Sequence, residues 1–271
     1  MRLPSFRHAA FHVVIGLGLS VMLCRESIAA ESGSPAPQSR AATNTVQPQG
    51  NPDFLFGRPH GSIGVRSGWM FARADSDLFT FVQDQLTIDR KDFNAPALAV
   101  DVSVGVAPRT DVLFGFDFSR SSTVSEYRHF VDNNRLPVTQ DTTLREISLS
   151  GSVKFALLPR GREISPRAWI PRAVTPYVGA GGGALWYEFR QNGDFVDFSN
   201  LRIFSDTFRS GGWTPSAHVF GGVDVKLWRR LYLTGEARFL WSHATLGLDF
   251  SGFEPIDLAG FKTTGGVSIL F

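Results

Sequence analysis

The chain has 271 residues, 13% of them aromatic, with a formal net charge of +2 and a single cysteine. Its length suffices for one large β domain or two small ones. The near balance of charge gives no reason to expect a nucleic-acid partner, and one cysteine excludes a scaffold held by internal disulfides.

Residues 1–30 predict a secretory signal peptide. A basic start is followed by an apolar run, 11–24, which is too short to span a bilayer as a helix, and then by small residues that suit cleavage. Acylation at Cys24 is the rival interpretation, but Leu23 stands where a lipoprotein signal needs a small residue. Cleavage would remove the only cysteine and leave no thiol chemistry in the mature chain.

The next segment is poor in bulky apolar residues. Residues 31–53 are rich in Ser, Pro, Gln and Ala, a composition that cannot form a core. We therefore expect a disordered periplasmic linker over 31–58 and one folded domain over 59–271.

Within that domain, eight segments carry bulky apolar residues at every second position. Period two is the signature of a β-strand. The segments are about 60–73, 95–107, 111–120, 144–158, 176–190, 213–227, 231–246 and 260–271. In the fifth segment the alternation places Leu185, Tyr187 and Phe189 on the apolar face.

The two faces of these strands predict a membrane barrel. The polar face consists mostly of small residues, which suits the narrow interior of an eight-stranded barrel. The apolar face runs without charge for about ten residues, close to the length that a tilted transmembrane strand needs. Strands satisfy all their backbone groups in lipid only when they close. The predicted fold is therefore all-β, an eight-stranded antiparallel up-and-down transmembrane β-barrel.

The predicted connections alternate in length. On the side of the chain ends they are 108–111, 159–174 and 228–230; on the other side they are about 75–93, 121–142, 191–212 and 247–259. Short periplasmic turns and longer surface loops are typical of transmembrane barrels.

The first long loop predicts a short helix. Asp75 or Ser76 would cap it. The residues that would share its apolar face are Leu78, Phe79, Val82 and Leu86. We expect this loop to fold over the barrel rim; the alternative is an entrance for a small apolar ligand.

Acidic and basic residues occur in equal numbers at the inward positions. The acids are Asp101, Asp117, Glu146, Glu188, Asp224 and Glu236, and the bases are Arg66, Lys154, Arg190, Lys226, Arg238 and Lys262. Because buried charges are tolerated only when paired, we expect a network of ion pairs that fills the lumen. The alternative is a narrow channel that opens when the pairs exchange partners.

The strand number, the asymmetry of the loops and the terminal sequence GGVSILF together resemble the small outer-membrane barrels of the OmpA and OmpW type. The resemblance covers residues 60–271. It implies an outer-membrane location, with lipid and lipopolysaccharide around the barrel. The sequence leaves the oligomeric state open, and a monomer is the expectation. In that group a last strand ending in Phe resembles the signal read by the barrel assembly machinery, which implies that Val267, Ile269 and Phe271 serve as an assembly signal.

The predicted function is structural or interactive: membrane integrity, adhesion or surface recognition. The alternatives are a porin-like channel for small or apolar solutes and a lipid-modifying enzyme. An enzyme is disfavoured because the neighbours Ser242 and His243 face opposite ways, while His60 and Ser62 are expected inside at the periplasmic end.

No catalytic, cofactor-binding or metal-ligating residue is assigned from the sequence. His129 and His218 stand alone, and the acids of the loop at 247–259 fit no calcium motif.

Overall fold

The computed structural model describes residues 54–132, 134–165 and 167–271. The predicted signal peptide and residues 31–53 of the predicted linker lie outside these ranges. No helix within the ranges is long and apolar enough to cross a membrane.

Within these ranges the regular structure consists of twelve strands, one α-helix and two 3-10 helices, the latter at Arg90–Phe93 and Leu248–Phe250. In chain order the strands and the α-helix are β1 (Gly61–Ala72), α1 (Asp77–Gln85), β2 (Ala95–Ala107), β3 (Thr110–Val131), β4 (Pro137–Ala156), β5 (Gly161–Ser165), β6 (Ala168–Pro171), β7 (Val174–Asp197), β8 (Arg202–Lys226), β9 (Leu231–Trp241), β10 (His243–Ala244), β11 (Ile256–Asp257) and β12 (Gly260–Leu270).

Eight of these strands close into a barrel. Around the ring the order is β1, β2, β3, β4, β7, β8, β9 and β12, and every neighbouring pair is antiparallel. The last strand pairs with the first, from Ser62 opposite Leu270 to Ala72 opposite Gly260. The structure therefore confirms the all-β, eight-stranded, up-and-down barrel.

The barrel turns its apolar side chains outward. Examples with their exposed fractions are Leu98 43%, Phe114 62%, Leu149 49%, Leu233 46% and Ile269 51%. Soluble monomers rarely expose apolar patches of this extent. Small and charged side chains point into the lumen, where Ser103, Ser150 and Thr234 are buried.

The connections at 121–142 and 191–212 differ from the prediction because they are largely strand. β3 and β4 stay paired up to Glu126 and Thr139, and β7 and β8 up to Asp197 and Arg202. β2 pairs with β3 only as far as Ser119, and β9 pairs with β8 only as far as Ala217. The parts of β3, β4, β7 and β8 that extend past these two points on the long-loop side form what we call the protruding sheet. Many of its residues are polar on both faces, so it lacks the period-two signal of a lipid-facing strand.

Two short ribbons complete the fold. β5 and β6 form a hairpin within the connection at 159–174, and β10 pairs with β11. Leu55 pairs with Trp169 of β6, so the last residues of the predicted linker belong to the folded part of the chain.

Candidate functional site

A chain of six charged side chains crosses the lumen. In order of contact these are Asp101, Arg66, Glu236, Arg238, Asp117 and Lys262, with closest N···O distances of 2.7, 2.6, 2.9, 3.2 and 3.1 Å. Their side chains are 3–14% exposed. Three acids face three bases, so the chain is neutral, and its members come from β1, β2, β3, β9 and β12.

The remaining barrel strands join this network. Lys154 of β4 pairs with Asp224 of β8 at 2.7 Å. The hydroxyl of Tyr177, on β7, donates to Glu236 over 3.1 Å. Every strand of the barrel therefore contributes a side chain that binds another strand through the lumen.

Two more predicted lumen residues lie on the inner face. Glu146 is buried and accepts a hydrogen bond from Ser119 over 3.3 Å. Lys226 is the last residue of β8 and lies opposite Tyr232 of β9 at the rim. The structure thus brings eight of the twelve predicted residues into ion pairs with one another inside the lumen, and it places Glu146 and Lys226 on the lumen face as well.

The prediction for Glu188 and Arg190 was wrong, because both lie on the outer face of β7. Arg209 of β8 pairs with Glu188 at 2.5 Å. Arg190 lies opposite Thr143 and Arg209 in the protruding sheet. Both residues lie in the protruding sheet, beyond the part of the barrel whose outer face is apolar.

The prediction assigned the inner and outer faces of the fifth barrel strand, β7, the wrong way round. Tyr177, Leu185, Tyr187 and Phe189 are all buried inside, at most 2% exposed. The run 178–183 is nearly all Gly and Ala and therefore carries no facing signal. The large residues after it alternate because they pack inside the mouth, not because they face lipid.

The mouth of the lumen on the long-loop side is filled by apolar residues. Its mouth cluster comprises Ala74, Leu78, Phe79, Val82, Leu86, Ile88, Phe93, Leu144, Leu185, Tyr187, Phe189, Leu240, Ala244, Phe250, Ile256 and Leu258. The predicted helix is confirmed as α1, and its four predicted apolar residues belong to the cluster. Ser76 is its N-cap residue, although its side chain makes no capping hydrogen bond.

Aromatic rings hold α1 in the mouth. The ring of Phe79 packs edge-on against Phe93 and Phe189, with centroids 4.7 and 6.0 Å apart, and Phe189 packs on Phe250 at 5.4 Å. The loop therefore folds over the rim, as predicted, and closes the lumen on this side.

The other end of the lumen is covered by the segment at 54–60 and by the β5–β6 hairpin. The backbones of Leu55 and Trp169 exchange two hydrogen bonds of 2.8 and 3.0 Å, and both side chains are 6% exposed. A cavity of about 50 Å³ is bordered by Trp169, Lys154 and Asp224. A second cavity of about 10 Å³ borders Arg66, and each has room for water rather than for a solute.

The protruding sheet carries hydrogen-bonded polar groups at its turns. The hydroxyl and the N–H of Ser199 donate to Asp197 and hold the pKa of that carboxyl below its usual value. Burial raises the pKa of Tyr127, whose hydroxyl accepts a hydrogen bond from Gln140 over 3.1 Å. These contacts lie in the outer part of the protruding sheet, at the β7–β8 turn and between β3 and β4.

The histidines do not form the pairs considered from the sequence. His60 is exposed, while Ser62 bonds Ser103 at 2.6 Å. His243 lies 3.5 Å from Asp257, and Ser242 donates to the carbonyl of Pro215.

One serine–histidine contact was missed. His218 Nε2 and Ser152 Oγ share a hydrogen bond of 2.8 Å inside the lumen, 2% and 7% exposed. The contact joins β8 to β4 across β7, so neighbouring residues in the sequence carried no signal of it. A buried dyad inside a filled lumen has no access to a lipid substrate.

The acids of the fourth long loop are used locally. Asp249 accepts the N–H of Arg209, and Asp257 pairs with Arg73 at 3.6 Å. Within the described ranges, no group of three or more His, Cys, Asp or Glu residues is placed to hold a metal ion.

The three residues of the implied assembly signal lie on the outer face. Val267, Ile269 and Phe271 are 43%, 51% and 53% exposed. The carbonyl of Phe271 accepts the N–H groups of His60 and Gly61, which joins the last residue to the start of β1. Their role in assembly stays a prediction.

Comparison with protein-family models and with curated proteins finds no match. Solved structures do match. Neisserial surface protein A is 12% identical with a TM-score of 0.41, over 82% of this chain and 100% of that one. OprG of Pseudomonas aeruginosa is 12% identical with a TM-score of 0.42, over 80% and 99%. Ail of Yersinia pestis is 11% identical with a TM-score of 0.41, over 78% and 99%.

These proteins are small outer-membrane barrels, the architecture that the sequence predicted. The eight-stranded barrel of this chain is established by its own strand pairing. At TM-scores below 0.5 the likeness carries no inference about what the chain binds or does.

Proposed function

We propose that this chain is an outer-membrane barrel that does not conduct and that acts by structural and surface interaction through its protruding sheet. The observation that carries the proposal is the closed lumen. The mouth cluster fills one end, the segment at 54–60 and the β5–β6 hairpin cover the other, and the charged network lies between them.

The apolar outer face of the barrel supports a location in a membrane. A continuous outward set of Val, Leu, Ile and Phe side chains on a closed barrel suits hydrocarbon, in which strands need all their backbone groups paired. Outer-membrane lipid and lipopolysaccharide are the surroundings that we propose. The barrel assembly machinery is the proposed partner during insertion, through Val267, Ile269 and Phe271.

A transport role is disfavoured by the lumen. A conducting path would have to break contacts such as Arg66–Glu236 and also displace Phe79 from the mouth. A role as a lipid-modifying enzyme is disfavoured because Ser152 and His218 are enclosed.

The test is conductance in planar lipid bilayers. The full chain, refolded and inserted, is expected to leave the current at the level of the bare bilayer, whereas a porin added to the same bilayer gives steps. Steps of current from this chain would contradict the closed-lumen proposal. A gel that compares boiled and unboiled samples verifies first that the barrel is folded.

A further inference from the structure

β8 is paired on one side only over its first part. It pairs with β7 along its whole length, from Arg202 opposite Asp197, but with β9 only from Ala217 onward. Between these points the fourth long loop covers part of the free side: Arg209 donates its N–H to Asp249 over 2.9 Å, and Ser210 accepts the N–H of Gly247 over 2.8 Å. No described strand covers residues 202–208 on that side.

The main-chain groups at this edge are directed outward. N–H groups of alternate residues in an antiparallel strand point to the same edge. Because the N–H of Arg209 reaches the loop beside the free side, those of Ile203, Ser205 and Thr207 point there too. The N–H of Thr207 donates to the side chain of its own neighbour Asp206 over 2.7 Å. An open row of this kind is a template for an added strand.

The opposite edge of the protruding sheet is covered. Leu86 forms a bridge with Tyr127 of β3, and the N–H of Thr87 donates to the carbonyl of Glu126 over 2.8 Å. Arg128 donates to the carbonyl of Gln83 over 3.1 Å. The sheet therefore offers one edge, that of β8.

The sequence of that edge is complementary to itself. With Phe204 opposite its own copy, Arg202 lies opposite the partner's Asp206, and Asp206 opposite the partner's Arg202. Ile203 and the partner's Ser205 then exchange main-chain hydrogen bonds. Residues 202–207 are all exposed, with Phe204 at 40%. Opposite charges and aromatic pairs directly across two strands are stabilising.

Neighbouring registers lack this match. Centring the pair on Ser205 sets Phe204 against the partner's Asp206, and centring it on Asp206 sets two carboxylates against each other. Like charges directly opposite destabilise a strand pair. The register centred on Phe204 therefore has the best complementarity.

We propose that the β8 edge, residues 202–207, binds the same edge of a second copy as an antiparallel strand pair. β8 runs from the long-loop side to the turn side in every copy, so antiparallel partners must point in opposite directions. The two copies therefore stand in two facing membranes, and the contact joins them. This inference rests on the proposed surface role of the protruding sheet.

Each contact spans only six residues per copy and buries less area than a stable interface, so a single pair of copies binds weakly. Many copies on two facing surfaces act together, which converts weak pairs into firm adhesion. The contact therefore becomes effective when many copies are present in each of the two membranes.

The test is clustering of lipid vesicles that carry the full chain, followed by light scattering. Wild-type vesicles are expected to cluster. In the variants Arg202→Asp and Asp206→Arg, both cross-strand pairs between positions 202 and 206 carry like charges. Each variant should therefore cluster about tenfold more slowly. The double variant Arg202→Asp with Asp206→Arg restores opposite charges and should restore clustering. Arg135→Asp, at the exposed turn between β3 and β4, is the matched control and should cluster like wild type.

Failure of the double variant to recover, or single variants that cluster like wild type, would overturn the proposal. So would wild-type vesicles that stay dispersed while the gel shift shows a folded barrel. These outcomes leave the conductance result untouched, so the closed-lumen proposal and the adhesive contact fail separately.

Discussion

Arg66 binds carboxylates on two strands that lie on opposite sides of its own strand. Its Nη2 lies 2.7 Å from Asp101 on the neighbouring strand β2, and its Nη1 lies 2.6 Å from Glu236 on β9, beyond β12. The side chain is 4% exposed. One guanidinium therefore ties together the part of the barrel where the first and last strands meet.

Removing this cation should cost much of the stability. Arg66→Met leaves two buried carboxylates short of a partner, which typically costs about 3–5 kcal/mol. The free energy of unfolding in urea, measured in lipid vesicles, is the readout. Arg162→Met, at an exposed position of the β5–β6 hairpin, should stay within about 0.5 kcal/mol of wild type. Equal values for the two variants would show that the lumen pairs do not stabilise the barrel.

The mouth cluster should open locally when its central ring is removed. Phe79 is 0% exposed, and Phe79→Ala should destabilise the docked helix by about 3–5 kcal/mol. Hydrogen exchange of α1 should rise, while that of the barrel strands stays unchanged. Phe81, on the same helix and 42% exposed, is the matched control, and Phe81→Ala should alter exchange little. Identical exchange in the two variants would contradict the docking of α1 through Phe79.

Closure of the barrel depends on a close approach at Gly266. A Cβ atom on Gly266 would overlap the carbonyl oxygen of Val65 on β1, whereas one on Gly265 would lie 3.9 Å from its nearest neighbour, the carbonyl oxygen of Thr234. Gly266→Ala should therefore cost about 1–3 kcal/mol and Gly265→Ala far less. The yield of the heat-modifiable band after refolding measures the difference. A reversed order of the two yields would refute the register of β1 with β12.

An outward arginine should be costly only where lipid surrounds the strand. Leu149 is 49% exposed on the barrel wall, and Leu136 is 58% exposed at the turn of the protruding sheet. Leu149→Arg should lose about 2–4 kcal/mol in vesicles, the cost of an arginine near the bilayer midplane, and Leu136→Arg close to none. A similar loss in both variants, by urea unfolding, would count against lipid at Leu149.

The parts of the fold whose outer face is apolar could be predicted from the sequence. The facing of Leu98, Phe114 and Leu233 followed from the alternation of bulky apolar residues with small or charged ones along β2, β3 and β9. The facing of β7 could not, since the Gly-rich run 178–183 gives no signal and Tyr187 packs inside the mouth. The protruding sheet was taken for loops because water surrounds many of its residues on both faces.

The candidate site was predictable in its composition and less so in its geometry. Matched charges at inward positions indicated pairs, but the partners depend on how the strands are staggered around the barrel. The contact of Arg66 with Glu236 skips β12, and that of Ser152 with His218 skips β7. Glu188 was predicted on the wrong face because the inner and outer faces of β7 were assigned the wrong way round.

We propose that hydrocarbon surrounds the outer face of the barrel. Spin labels placed singly along β2 in lipid vesicles test it most directly, since β2 alternates between outward and buried positions. The outward positions are Leu98, Val100, Val102 and Val104, and the inward ones are Ala97, Ala99 and Ser103. We expect high accessibility to dissolved oxygen at every outward position and low accessibility at every inward one. Ready access of a water-soluble nickel reagent to the outward set would contradict it.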